Sequence, residues 1–228
     1  MSHTNFPLSI SAILIDLDGT LLHTAPELAA AANRMLDEMG RPAVSQDLLV
    51  SYIGNGVSWL VKRALTGDMH AEPDAGLFNQ ALPIFERHYH ELLLQSKPFD
   101  GVIAGLDAMR AAKFHLGCIT NKLKSFTEPL LEGTGLAHYF ELVLSGDSLP
   151  EKKPHPMPLL HAAQFFRVPV EQVLLIGDSL NDTVAARAAG CPVICVPYGY
   201  NHGEPVDTLD LDAVIDTLPD AMKLIQKA

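Results

Sequence analysis

Basic side chains are scarce in this chain: 16 Lys and Arg stand against 27 Asp and Glu, for a formal net charge of −11. General nucleic-acid binding neutralises phosphates with Lys and Arg, so no nucleic-acid partner is expected, and an anionic membrane surface offers nothing either. An acidic chain can still take an anionic small molecule through a local site or a metal ion. Long apolar runs are also missing, and none reaches the length a transmembrane helix requires. The opening "MSHTNFPLSI" has neither a positive start nor a long apolar segment, so no secretory leader is expected. Cysteine is limited to Cys118, Cys191 and Cys195, with no tight cluster among them. Cys118 and Cys195 sit inside apolar runs as small core residues, and Cys191 falls in a turn between Gly190 and Pro192. Reduced structural thiols in the cytoplasm are expected, not a metal or redox site. Internal repeats and low-complexity tracts are absent as well.

What is present is a large apolar fraction, 48% of 228 residues, ample for a sizeable core. "SAILIDL" is short, continuous and β-branched, the pattern of a strand buried on both faces of a parallel sheet. A helical stretch follows. Thr24-Ala25-Pro26-Glu27 fits a capping box, "ELAAAANRMLDEM" carries the helix and Gly40 ends it. "SQDLLVSYIG", "VSWLVKRALTG" and "GLFNQALPIFERHYHELLLQ" continue the helical pattern, with Pro83 as a kink or a fresh start. From about Thr24 to Ser96 no strand is evident. Strands and helices then alternate: "FHLGCIT", "FELVLSG", "QVLLIGD" and "PVICVPYG" read as strands, with helical patterns before and between them. Asp216 to Lys227 reads as a last helix. Alternation of this kind predicts an α/β fold, a Rossmann-like doubly wound parallel sheet. A block of roughly 70 residues is too long for a loop. It predicts a small all-α cap domain, residues 23–96, inserted into an α/β core made of residues 1–22 and 97–228.

In open α/β sheets ligands bind at the carboxyl ends of the strands. Asp16 and Asp18 follow the first strand, and alternation along an extended chain puts both carboxylates on one side. Thr120, Asn121 and Lys122 follow "LGCI"; Lys152 and Lys153 lie in "KKPHP"; Asp178 and Asp182 lie in "GDSLND". Facing carboxylates require a cation, and hard oxygen ligands without His or Cys suit Mg²⁺. A hydroxyl and a lysine beside such a metal suit a phosphate. An in-line aspartate can attack it, and a second carboxylate can move the proton. Metal and lysine would neutralise charge on the transferred group.

"DLDGTL", "ITNK", "KKPHP" and "GDSLND", in that order, resemble the four motifs of the haloacid dehalogenase-like hydrolases. The resemblance covers nearly the whole chain, helical cap included. It implies Mg²⁺-dependent phosphoryl transfer with Asp16 as nucleophile and Asp18 as general acid/base. It further implies that Thr120 and Lys153 hold the phosphoryl group, with Gly19 and Asn121 beside it. The metal ligands it implies are Asp16, Asp18 through its backbone carbonyl, and Asp178, with Asp182 supporting the metal or orienting the lysine. With "SYIGNGVSWLVKRAL" and "YGYNHGEP" added, the chain is similar to the bacterial phosphoglycolate phosphatase family, which implies 2-phosphoglycolate as substrate. His23 stands where that family often has an acid, and is read as a hinge or cap residue.

Each residue also has a plainer reading. Thr120 could cap the next helix. Asp182 could be a first-turn acid that suits the helix dipole. Lys152 is read as the solvated neighbour of Lys153. Gly54, Asn55 and Gly56 could simply end a helix, or could form a cap loop over the site that admits only a small substrate. Arg63 could meet the substrate carboxylate or lie on a solvated face. Competing functions are a sugar-phosphate phosphatase, for example on N-acetylmuramic acid 6-phosphate, and a phosphomutase. A phospho-accepting signalling domain does not suit an aspartate on the first strand of a capped chain. A small phosphorylated metabolite is the expected partner, and a monomer or homodimer the expected state.

Overall fold

The computed structural model describes residues 5–228; residues 1–4, where the segment read as lacking a leader begins, lie outside the described residues. A six-stranded sheet carries the fold. Its strands are β1 (Ala12–Ile15), β2 (His115–Ile119), β3 (Leu142–Leu144), β4 (Val173–Gly177), β5 (Val193–Cys195) and β6 (Ala213–Val214). They lie in the order β3-β2-β1-β4-β5-β6, every pair parallel. Strand order reverses around β1, which makes its carboxyl end the switch point where such sheets bind ligands.

Between β1 and β2 the chain is mostly helical. Helices α1 (Ala25–Glu38), α2 (Gln46–Ser51), α3 (Val57–Thr66) and α4 (Ala75–Leu92) form the inserted block, and α5 (Val102–Ala111) leads back to the sheet. Helices α6 (Lys124–Gly133), α7 (Met157–Phe166) and α8 (Leu180–Ala189) alternate with the remaining strands. Side chains of the central strands point alternately to the two faces. Ile13, Ile15, Leu174 and Ile176 pack with Leu106 and Met109 of α5 and Phe126 and Leu130 of α6. Ala12, Leu14, Val173 and Leu175 pack with Leu159 and Ala162 of α7 and Ala185 and Ala186 of α8. Burial on both faces is why these strands read as unbroken apolar runs.

The first of those cores continues without a break into the inserted helices, through Leu28, Met35, Phe85 and Tyr89. Tyr89 meets Phe126 of the sheet layer edge-on, with ring centroids 5.0 Å apart, and stacks on Phe85 at 5.8 Å. Where the chain enters and leaves the insertion, Leu22–His23 pairs antiparallel with Lys97–Pro98. His23 is exposed there, its ring 5.2 Å from that of Phe99.

Three local expectations are corrected. The segment after Asp216 is not an α-helix: Leu218–Lys223 is a 3₁₀ turn capped by Thr217 and Asp220, and Ile225–Lys227 pairs with Leu8–Ile10. Tertiary pairing overrides its helical pattern. Pro83 does not start a fresh helix, since α4 runs through it over 18 residues while burying Ala81, Phe85, Tyr89 and Leu92. Thr24 makes no side-chain cap to α1, because its hydroxyl is taken by Asp18 and Glu27 is taken by Ser96.

Phe85 has no exposed surface and joins the inserted helices to the main core. Phe85→Ala is expected to destabilise the chain by about 3–5 kcal/mol, read as a lowered urea midpoint at unchanged slope. A loss under about 1 kcal/mol would mean that this junction carries little stability.

Candidate active site

Register brings the chemistry to one rim. Ile15 is level with Cys118 on one side and Ile176 on the other. Asp16, Thr120 and Asp178 therefore leave their strands within about one step of each other. Lys153 arrives from the loop between β3 and α7. Gly19 completes the first turn with φ +83°, and a Cβ there would stand 2.3 Å from an Asp178 carboxylate oxygen. Both its conformation and its closeness to Asp178 exclude a side chain.

At the centre is a buried ammonium. Lys153 Nζ lies 2.9 Å from Asp16 Oδ1 and 2.6 Å from Asp182 Oδ1. Burial works against its charge, but the two carboxylates outweigh burial and hold its pKa above the ordinary lysine value. Asp16 Oδ1 also accepts from the Leu17 N–H at 2.8 Å, which leaves Oδ2 for chemistry. Desolvation drives the Asp16 pKa up; Lys153 pulls it back, Asp182 and Asp18 push it further, and it stands at about 7. Asp178 accepts from the Thr20 hydroxyl and the Tyr200 N–H, at 3.0 and 2.6 Å. Its pKa is nonetheless well above the usual carboxylate range, through burial first and then Asp182 and Asp16.

Oxygens of Asp16, Asp178 and Asp182 lie within 4.8 Å of one another. One lysine cannot balance three buried carboxylates: burial first, and then their mutual repulsion, raises the pKa values of Asp16 and Asp178. A divalent cation fits this donor set: hard oxygens only, and excess negative charge. Asp182 is badly placed as a direct ligand. Its Oδ1 is on Lys153, and its Oδ2 accepts from Ser179 Oγ at 2.7 Å and the Ser179 N–H at 3.1 Å, a capping box at the start of α8. It is a lysine anchor and helix cap.

Asp18 stands apart from this cluster. Lys122 Nζ bonds both its carboxylate oxygens at 2.9 Å, and the Thr24 hydroxyl donates to Oδ1 at 2.7 Å. Thr120 is buried at the rim, and its Oγ1 accepts from the Lys122 N–H at 3.2 Å, leaving its O–H able to donate. Asp16, Asp18, Thr120, Asn121, Lys122 and Asp178 border a cavity roofed by Leu28, Ile53, Val57 and Leu60 from the insertion. Its volume is about 30 Å³, and one water needs about 10–15 Å³.

The Gly54-Asn55-Gly56 loop is tied down onto the core. Gly54 O accepts from the side-chain amides of Asn121 and Asn181, at 3.1 and 3.3 Å. Asn55 O accepts from Lys152 Nζ at 3.0 Å, so Lys152 is a loop anchor and not the solvated neighbour of Lys153 that its position suggests. His202 Nδ1 is 2.7 Å from Ser51 O. Gly54 and Gly56 border the cavity, whereas the Asn55 side chain is spent on Asn181 and Arg63. Arg63 does not border it either. Its guanidinium is satisfied by Met69 O, Tyr52 O and Asn55 Oδ1, so it braces the loop from behind. Lys122 stands among the strand-end residues in the sequence, but its ion pair with Asp18 is not evident there, and nothing in the sequence singles out Asn181 or His202.

A family model described as haloacid dehalogenase-like hydrolase matches residues 13–196. A phosphoglycolate phosphatase of Thiobacillus denitrificans is 61% identical over 225 residues, 98% of this chain and 99% of its own length. One from Nitrosospira multiformis is 54% identical over the same shares of the two chains. Among solved structures, a predicted phosphoglycolate phosphatase from Haemophilus somnus superposes with a TM-score of 0.88 at 34% identity, covering 95% of this chain and 98% of its own.

The acidic cluster makes a pH-dependent prediction. With a pKa of about 7 against 3.8 ordinarily, Asp16 keeps a proton in the folded state that the unfolded chain releases. Its contribution to stability therefore falls as pH rises from about 4 to 7, and a cation that needs the ionised form binds better as pH rises. Saturating divalent cation, at about 100 times Kd, adds about 2.7 kcal/mol. The Tm gain should be several degrees at pH 8 and much smaller at pH 5. Equal gains at both pH values would detach the cation from these carboxylates.

Proposed function

We propose that this chain, which belongs to the haloacid dehalogenase-like hydrolases and is a phosphoric monoester hydrolase, cleaves 2-phosphoglycolate to glycolate and phosphate through an aspartyl-phosphate on Asp16. The observation that carries the chemistry is the Asp16–Lys153–Asp182 arrangement at the switch point of the sheet. For the substrate, support comes from the small roofed cavity and the near full-length identity to phosphoglycolate phosphatases. We read residues 23–96 as the cap and residues 1–22 and 97–228 as the core; the paired strands Leu22–His23 and Lys97–Pro98 mark the joint. Three unpaired buried thiols suit a reducing compartment, the cytoplasm.

Asp16 Oδ2 attacks phosphorus as the bond to the glycolate oxygen breaks. Lys153 fixes Oδ1 of the nucleophile and neutralises charge on the phosphoryl group, and the Thr120 hydroxyl donates to it. Asp18 in its protonated form gives its proton to the departing oxygen, then regains one from the water that attacks the aspartyl-phosphate, so each turnover returns it to the form in which it began. That second attack breaks the bond between phosphorus and Asp16 and frees phosphate. Mg²⁺, held by Asp16, Asp178 and the Asp18 backbone carbonyl, would supply charge neutralisation and keep Asp16 ionised near neutral pH. The roof of Leu28, Ile53, Val57 and Leu60 keeps bulk water from the intermediate.

A panel of phosphate esters assayed with Mg²⁺ should show the highest kcat/KM on 2-phosphoglycolate. A clear preference for a sugar phosphate would replace the substrate while keeping the chemistry, and isomerisation without free phosphate would make the enzyme a mutase. Asp16→Asn should lower kcat by at least about 10⁴-fold with the fold intact. Turnover within about tenfold of the wild type would remove Asp16 as nucleophile.

A further inference from the structure

Lys122 is a buried cation without a role in the chemistry above. Its side chain is 1% exposed, and the ammonium is held between the Asp18 carboxylate and the ring of Tyr89, 4.8 Å from its centroid. It borders the cavity, and among the described residues it is the one cation that does. Arg63, the basic residue the cap could have offered, is bound to Met69 O, Tyr52 O and Asn55. Lys152 is on Asn55 O.

Asp18 is heavily committed to Lys122. Both its oxygens are on the ammonium, and Thr24 adds a third bond. In the protonated form that donates to the ester oxygen, the group is no longer an anion for Lys122. A buried ammonium that loses its anion is strongly disfavoured unless another takes the place. The phosphoryl group has its own cation in Lys153, so the replacement must come from the rest of the substrate. Tyr89 holds the ammonium from its other side during the exchange.

We propose that Lys122 is the specificity residue for the substrate's carboxylate, and that binding of that carboxylate to its ammonium releases Asp18 to act on the ester. This rests on 2-phosphoglycolate as the substrate. An ester of similar size with a neutral tail would leave Asp18 bound to Lys122. Selection for an anionic substrate would thus come from the core, at the residue following Asn121, and not from the cap.

The test compares 2-phosphoglycolate with 2-hydroxyethyl phosphate, which carries a hydroxymethyl group in place of the carboxylate. It uses the wild type, Lys122→Met and Lys122→Arg, with Mg²⁺ present. The readout is the ratio of the two kcat/KM values, which a purely structural role would leave unmoved because both esters would lose together. The wild type should favour 2-phosphoglycolate. Lys122→Met should lower that preference by about 10- to 100-fold, the value of one hydrogen bond to a charged group. Lys122→Arg should restore most of it. A ratio within about threefold of the wild type in Lys122→Met would overturn the proposal. If the methionine variant does not fold, Lys122→Gln, polar but uncharged, carries the same comparison. Failure of the underlying reading looks different: the wild type itself would then show no preference for 2-phosphoglycolate.

Discussion

The ammonium of Lys153 sits between Asp16 and Asp182 with almost no access to water. A charge in that position is tolerable only while both carboxylates are in place, so the surrounding structure is committed to holding them. Asp16 is held by the register of β1 against its two neighbours. Asp182 is held by its own capping box, whose hydrogen bonds come from Ser179 at the start of α8. Gly177 lets that turn close: a Cβ there would lie 2.3 Å from the Asp182 carboxyl carbon. The sheet, the helix start and the nucleophile are thus coupled through one side chain.

A second buried lysine separates the two aspartates of "DLDGTL" electrostatically. Lys153 serves Asp16 and Lys122 serves Asp18. Like charges two residues apart in sequence are compensated from different directions, one by the loop after β3 and the other by the loop after β2. The remaining excess of negative charge lies on Asp16 and Asp178, on the side where a divalent cation fits. That division gives neighbouring carboxylates different environments, and so the possibility of different work.

The sheet was legible because strands buried on both faces must be apolar throughout, and the acids were legible because each stands directly after such a run. What was not legible depends on partners remote in sequence. Lys122 reaches Asp18 across 104 residues, and Lys152 reaches Asn55 across 97. Thr24 followed by Glu27 has the letters of a capping box, but the stronger claims of Asp18 and Ser96 remove both side chains from that duty. Arg63 looks like a free cation on a helix, yet it faces three oxygens that only the folded loop assembles. The chain's end has a helix-like pattern, but Leu8–Ile10 offers it an open strand edge.

Leu22–His23 and Lys97–Pro98 lie side by side. The ends of the insertion are therefore already joined in space before any inserted residue is counted. The joint fixes where the inserted helices begin and end, but the apolar core that runs on through Leu28, Met35, Phe85 and Tyr89 ties them to the sheet. Any change in the roof, and so in the molecules it admits, is therefore felt in the packing beneath the catalytic rim.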